Sequence, residues 1–393
     1  MGLSPRSKTT LFATILIAAL ACLQAGIDPV FLTLLSSAHP VAPADHGWIV
    51  GATQAGMAVG AVIVWRLGAR LSRAVFTLAA IATFLSSLAT AQIEETPALL
   101  AIRAGYGLAM GMIYTRAMSA AAAWRPNGAY GAVFLIQLLL STLFALLLPP
   151  IADLVGPAPS LAMLAVVPFA ALLLILVTAG PEHSAARHGD ARHLDQHQPV
   201  DAAAWALAAA TLLFICATMM VWSFTGALAI AAHIDEDVIG QAVAVGSLAG
   251  AFTALGVMRE KPLVPLPLTG ALAGLSLLSP IPAASGGDGS LFILSIVLLN
   301  IGSTAIIIRC SGMASARSAD PLFRRLVACT HPLGMILGPV AGSLLTASLG
   351  QGGLLSGAVV VIASGCLSLL LATLWQRGKA PGAPRRDALE SAA

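Results

Sequence analysis

Charge is what this chain most lacks: 9% of its 393 residues are Asp, Glu, Lys or Arg, while 58% are hydrophobic. A soluble domain carries about 25% charged residues. So few charges cannot cover a water-facing surface, so most of the exterior must face a lipid bilayer. Aromatics are also scarce at 5%, and no basic patch interleaved with aromatics occurs, which excludes nucleic acid as a partner. The five cysteines (Cys22, Cys216, Cys310, Cys329, Cys366) lie in or beside apolar stretches. None has the paired spacing of a zinc site or sits in a loop suited to a disulfide. No G-x-x-x-x-G-K-[ST] occurs, so the chain does not hydrolyse nucleotides as an ATP-driven pump would. There is no H-E-x-x-H and no connection long enough for an enzyme domain. The sequence therefore points to a protein that is not an enzyme and takes no cofactor or metal.

Apolar runs are present in abundance. Stretches of span length fall near residues 11–36, 47–65, 74–92, 98–122, 129–150 and 158–179. They resume near 202–231, 238–258, 266–285, 290–313, 326–349 and 353–376. The run 266–285 is interrupted most, by Pro267, Pro280 and Pro282. The first run follows Arg6 and Lys8 but is far longer than a signal-peptide core, so it reads as a retained span. The expected fold is an all-α polytopic membrane protein, with twelve transmembrane helices in two pseudo-symmetric six-helix bundles. Residues 1–180 form the first bundle, 181–200 a cytoplasmic linker, 201–376 the second bundle and 377–393 a cytoplasmic tail. The linker carries His183, His188, His193 and His197, but their spacing lacks a second ligand type and reads as a polar tether.

The basic residues set the orientation. With the N-terminus cytoplasmic, 17 of the 20 Lys and Arg fall on cytoplasmic segments, and the other three (Arg103, Arg116, Arg309) lie within spans. The opposite connections collect Asp45, Glu94, Glu95, Asp153, Asp235, Glu236, Asp237 and Asp288. Both termini are thus expected in the cytoplasm, with the protein integral to the plasma membrane, as in a bacterial inner membrane. The halves echo one another. Gly111 precedes Arg116 in the fourth span as Gly302 precedes Arg309 in the tenth, and Gly56/Gly60 match Gly246/Gly250. Glycines four apart let neighbouring helices approach closely.

A charge inside a span costs about 2.5–3.5 kcal/mol on the insertion scale, so each one needs a reason. Asp28 lies in the outer part of the first span, and Arg103 sits at a depth that differs by roughly 5 Å at about 1.5 Å per residue. The two are expected to pair and to couple proton movement: withdrawing a cation from a desolvated carboxylate favours its protonated form. Gln24 lies one turn before Asp28 on the same face, and Pro29 should free the carbonyl of Ala25 and break the helix there. Further candidate substrate contacts are Gln54, Tyr106, Gln137, Trp222 and Asn300. Arg116 and Arg309 occupy matching places at the cytoplasmic ends of their spans. They either snorkel to headgroups or form a cationic mouth for an anion. His331 reads as a residue at a span end.

Several motifs resemble those of the major facilitator superfamily, over essentially the whole chain. Arg103-Ala-Gly-Tyr-Gly107 resembles the family's fourth-helix arginine followed by glycine, with Tyr106 in place of the usual glutamine. Gly334-Met-Ile-Leu-Gly338-Pro339-Val-Ala-Gly342 reproduces a G-x-x-x-G-P-x-x-G pattern best known from the fifth span of family exporters; here it lies in the eleventh. Arg66, Gly68 and Arg70 keep the basic part of the family's loop motif between spans two and three, with Trp65 where an aspartate is usual. The resemblance implies alternating access by two rocking bundles. It further implies proton-coupled efflux of a small amphiphilic or cationic compound, with Asp28 and Arg103 as the coupling pair. Arg66, Gly68, Arg70, Gly107, Gly334, Gly338, Pro339 and Gly342 would serve gating or helix packing. The expected partners are a small-molecule substrate, protons and the lipid bilayer, with the chain functional as a monomer. Two alternatives stand beside this reading: uptake or exchange of an organic anion through Arg116 and Arg309, and a membrane sensor that keeps the fold without transporting.

Overall fold

A computed structural model describes residues 5–41, 46–178, 200–258 and 264–378. The four histidines of the linker, Arg259, Lys261 and the tail beyond residue 378 lie outside the described residues. Among the described residues there are twelve spans and no strands. The first span is a pair of helices, Pro5–Ala21 and Gln24–Ala38. Then come His46–Leu67, Arg73–Thr90, Thr96–Trp124 and Pro126–Val155. The sixth span is again a pair, Pro157–Met163 and Val166–Val177. The second half repeats the plan with Ala202–Ala231, Glu236–Val257, the pair Leu266–Leu278 and Pro280–Ser285, and Gly289–Ala316. The eleventh and twelfth spans share the stretch Pro321–Gly378, divided at Gly350. There the backbone takes φ 67° and ψ −157°, a conformation open to glycine and strained for other residues. An even number of spans among the described residues puts Pro5 and Gly378 on one membrane face, called here the termini side.

The broken spans have local causes. In the sixth, the ring of Pro168 conflicts with the carbonyl four residues earlier, and the helix interrupts at Leu164–Ala165. In the ninth, Pro280 cannot donate to the carbonyl of Ser276, and the Ser279 hydroxyl does so instead at 2.8 Å. In the first span the break falls at Cys22–Leu23, not at Ala25 as Pro29 suggested. The physical reason lies in the fifth span: Gln137 Nε2 donates to the Cys22 carbonyl at 3.1 Å, and Cys22 Sγ donates to Gln137 Oε1 at 3.2 Å. A freed carbonyl in the bilayer interior needs such a partner.

Glycines set the closest helix crossings. A Cβ on Gly107 would stand 3.1 Å from the Met57 nitrogen, and one on Gly56 2.8 Å from the Leu108 nitrogen, so the second and fourth spans touch backbone to backbone. Gly246 and Gly250 bring the eighth span onto Ile296, Asn300 and Thr304 of the tenth, mainly through side chains, and Gly250 also meets Leu138 of the fifth. Such close approach replaces a hydrophobic driving force that lipid does not provide. Leu78, Leu85, Leu275, Val360 and Leu367 are exposed, as side chains facing hydrocarbon would be.

The halves join towards the termini side. His331 of the eleventh span packs between Tyr114 and Phe134 of the first half, with ring centroids 5.6 and 5.5 Å apart. Ser315 Oγ donates to the Tyr130 hydroxyl at 3.5 Å. Gly312 sits on Asn127, Gly131 on Met258, and Gly68 on the Arg325 side chain.

Candidate functional site

Asp28 and Arg103 are both buried, at 9% and 2% exposure, inside the first half. No ion pair joins them among the described residues, which corrects the expected direct pairing. Each has found other partners. Gln24 Nε2 donates to Asp28 Oδ1 at 2.9 Å, across one helical turn of the segment that restarts after the break. Arg103 Nε donates to Thr53 Oγ1 at 3.1 Å. The guanidinium lies over the rings of Phe31 and Tyr106, 4.5 Å from each centroid, where the ring faces attract the cation. Arg103 Nη2 is buried and has no hydrogen-bond partner. The structure thus brings Gln24, Asp28, Arg103 and Tyr106 into one polar centre, with Thr53 and Phe31 added.

Beside this centre lies a cavity of about 10 Å³. Its walls come from the first, third, fourth and sixth spans, and include Gln24, Phe31, Ser87, Thr90, Arg103 and Tyr106. No residue of the second half lines it. The cavity is therefore interior to one bundle.

The other expected contacts are dispersed. Gln137 holds the broken first span, and Gly26 of that span rests on Ser141 one turn further along the fifth. Gln54 is buried in the second span. Asn300 donates to the Ile296 carbonyl at 3.0 Å and packs at Gly246, inside the second half. Trp222 is half-buried against the apolar core of that half. Arg116 Nη1 donates to the carbonyls of Gly68 and Leu71 at 3.4 Å each, and its guanidinium stacks over Phe76 at 4.1 Å. Arg309 Nη1 donates to the Val264 carbonyl at 2.7 Å and to the Thr269 hydroxyl. Each arginine thus braces the connection between the second and third spans of its own half, at corresponding places in the repeat.

The motif glycines also resolve into packing positions. Gly334, Gly338 and Gly342 lay the eleventh span on Ile215, Cys216, Met220 and Phe224 of the seventh, with Pro339 inside that helix. In the loop, Arg66 and Arg70 are exposed, while Gly68 is buried and admits Arg325 of the other half.

Sequence reasoning missed Tyr114, Tyr130 and Phe134 at the junction of the halves, and took His331 there for a span-end residue. One signal pointed there. The chain has three tyrosines, and all of them (Tyr106, Tyr114, Tyr130) are buried in the fourth and fifth spans. A phenol hydroxyl inside a span is a polar group that calls for a partner.

The described residues hold no cluster of His, Cys, Asp and Glu suited to a metal ion. Comparison with known proteins adds the wider context. Residues 11–321 match the Major Facilitator Superfamily. No curated protein sequence matches significantly. Among solved structures, the human organic anion transporter MFSD10 (TETRAN) superposes with a TM-score of 0.67 at 15% identity, covering 93% of this chain and 100% of that one. The proton:xylose symporter XylE, bound to 6-bromo-6-deoxy-D-glucose, superposes with a TM-score of 0.65 at 13% identity, covering 95% of this chain and 96% of that one. At such identities the likeness is one of fold. Two six-span halves, their matched glycine crossings and a family match over most of the sequence lead to one conclusion: this chain belongs to the Major Facilitator Superfamily.

Proposed function

We propose that the protein is a secondary transporter that exports a small amphiphilic or cationic compound in exchange for protons, by alternating access of its two halves. The observation that carries the reading is the buried carboxylate of Asp28, held by Gln24 at a break in the first span and set in one polar centre with the buried Arg103. A carboxylate costs too much inside a span to be retained as filler, and one near a cation that can approach or withdraw is suited to binding and releasing a proton. Discontinuous helices are a recurrent feature of coupling sites, because they present backbone groups at mid-membrane depth.

In this reading the termini side is cytoplasmic, in keeping with the distribution of Lys and Arg. The contacts of His331, Tyr130 and Gly68 then close the inner face, and the state described is the one that receives protons from outside. The path needs only one chain. The reading of Arg116 and Arg309 as an anion-binding mouth finds no support in their geometry, since the Nη1 of each is directed at carbonyls of its own half.

The test uses purified protein in liposomes that enclose a pH-sensitive dye, with tetraphenylphosphonium as the amphiphilic cation. Addition of the cation moves protons across the membrane with the wild type and not with Asp28→Asn. Cation flux without proton movement in the wild type refutes the coupling.

A further inference from the structure

Away from the polar centre, the ninth and twelfth spans touch along only part of their length. Towards the termini side, Gly270 and Gly274 of the ninth rest on Leu369 and Ile362 of the twelfth. Towards the opposite face each span turns to other neighbours. The ninth breaks at Ser279, and its second piece, Pro280–Ser285, packs on the seventh and tenth spans, where Ala284 joins Ala229 and Phe292. The twelfth lies on the eleventh, with Gly353 and Gly357 against Leu345. The ninth and twelfth spans therefore part, and a groove of about 430 Å³ opens between them.

The lining is chemically suited to hydrocarbon. Leu275, Leu278 and Pro282 of the ninth span face Gly352 and Leu355 of the twelfth across it, with the buried Ile281 beside them. The volume falls within the range of about 300–1,000 Å³ typical of ligand sites. Leu275 and Leu355 are exposed, as are Leu272 and Leu367 on the same two spans, so the groove opens to the bilayer. No residue of the first half lines it.

Length and charge narrow the occupant. Leu275 and Ser285 are ten residues apart, about 15 Å at about 1.5 Å per residue, which is half of the roughly 30 Å hydrocarbon core. The groove thus spans the depth of one leaflet. Ser285 ends its helix at the face opposite the termini and is exposed. Asp288 follows three residues later, within about 10 Å even at full extension, and its exposed carboxylate caps the tenth span. Among the described residues, the connections at that face carry Glu94, Asp153, Asp235 and Asp288 and no Lys or Arg. An acidic rim repels an anionic headgroup and accepts one that carries a cation.

We infer that this groove holds one acyl chain of a zwitterionic phospholipid from the leaflet opposite the termini, with the headgroup beside Ser285 and Asp288. Left empty, the groove would deprive its lining atoms of neighbours on one side, and a chain laid along it restores those contacts. Two walls that diverge from a fixed contact at Gly274 retain a chain that a flat helix surface would let pass. The lipid fills the space that the break in the ninth span opens.

The test is native mass spectrometry of the full chain, stripped of lipid in detergent and titrated with dioleoylphosphatidylcholine. Gly352 lines the groove and a Cβ there meets nothing within 4 Å, so Gly352→Trp fills the groove without displacing backbone. Gly105→Trp is the control: that glycine is exposed, equally free of neighbours, and outside the groove. The wild type should bind a first lipid more tightly than later ones, Gly352→Trp should weaken that step by roughly tenfold or more, and Gly105→Trp should leave it unchanged. Dioleoylphosphatidylglycerol should bind the wild type more weakly than the choline lipid. Independently of any variant, a phosphatidylcholine with a diazirine on one chain, in phosphatidylcholine vesicles, should label Leu278 more heavily than Leu85, which is exposed at similar depth on the third span. A first lipid no tighter than later ones, wild-type binding by Gly352→Trp, or labelling of Leu278 no heavier than of Leu85 means lipid merely passing over the surface, and overturns the site. Phosphatidylglycerol held as tightly as phosphatidylcholine overturns the zwitterionic headgroup.

Discussion

Replacing Gly107 by alanine places a methyl group where the second span's backbone already stands. The Cβ would lie 2.8 Å from the carbonyl carbon of Thr53 and 3.1 Å from the nitrogen of Met57, and would overlap the Thr53 carbonyl oxygen. These neighbours are main chain and cannot rotate away, so the second and fourth spans must separate along their crossing. Overpacking of this kind costs about 1–3 kcal/mol. Alanine returns part of that loss, because a glycine inside a helix is about 0.5–1 kcal/mol worse than alanine. Gly105 provides the control on the same helix: nothing lies within 4 Å of a Cβ built there. Gly105→Ala therefore gains the propensity term without the overlap, and the difference between the two variants isolates the crossing. In thermal unfolding of detergent-purified protein, Gly107→Ala should melt below the wild type and Gly105→Ala at or above it, a gap of about 1–3 kcal/mol. Equal melting of the two variants would show that the spans do not pack through Gly107 as described.

Three further outcomes follow from the geometry. Gln137→Leu leaves the Cys22 carbonyl buried without its donor and should lower stability by about 1–3 kcal/mol. Cys22→Ala keeps that backbone bond and should melt well above Gln137→Leu. Arg309→Gln loses charged hydrogen bonds to Val264 and Thr269, worth about 1.5–3 kcal/mol, and should lower the melting temperature while tetraphenylphosphonium binding stays unchanged. A loss of binding without a loss of stability would make Arg309 a substrate contact. His331→Ala removes two aromatic contacts across the halves, each worth about 0.5–1.5 kcal/mol. In that background a cysteine placed at Asn127 should react faster with an impermeant thiol reagent added at the termini side.

Much of the architecture was legible in the sequence because bilayer thickness imposes a minimum apolar length on every span. The apolar runs therefore marked twelve helices, and the order of glycine then arginine in both the fourth and tenth spans marked two halves. The site was legible only in part. Asp28, Gln24 and Arg103 were marked by the cost of charge in lipid and by helical spacing, but side-chain partners are chosen in three dimensions. Asp28 kept the partner that helical spacing offered, Gln24 one turn away, whereas Arg103 turned to Thr53 and Phe31 on other spans, a facing no one-dimensional pattern reports. The break in the first span is similar. Pro29 pointed to Ala25, yet the interruption sits where Gln137, more than a hundred residues along the chain, offers an amide to Cys22. Arg116 and Arg309 were recognised as an equivalent pair, but their connection to loop carbonyls depends on how each loop folds back. His331 read as a span end because its ring partners belong to the other half.

Exchange of the Asp28 proton for the cation would appear as proton release on binding. Purified protein in weakly buffered detergent solution, with a pH indicator, is titrated with tetraphenylphosphonium. Binding should release protons from the wild type, and Asp28→Asn should release none. Binding of the cation to the wild type with no proton released, or with the same release in Asp28→Asn, would contradict the exchange.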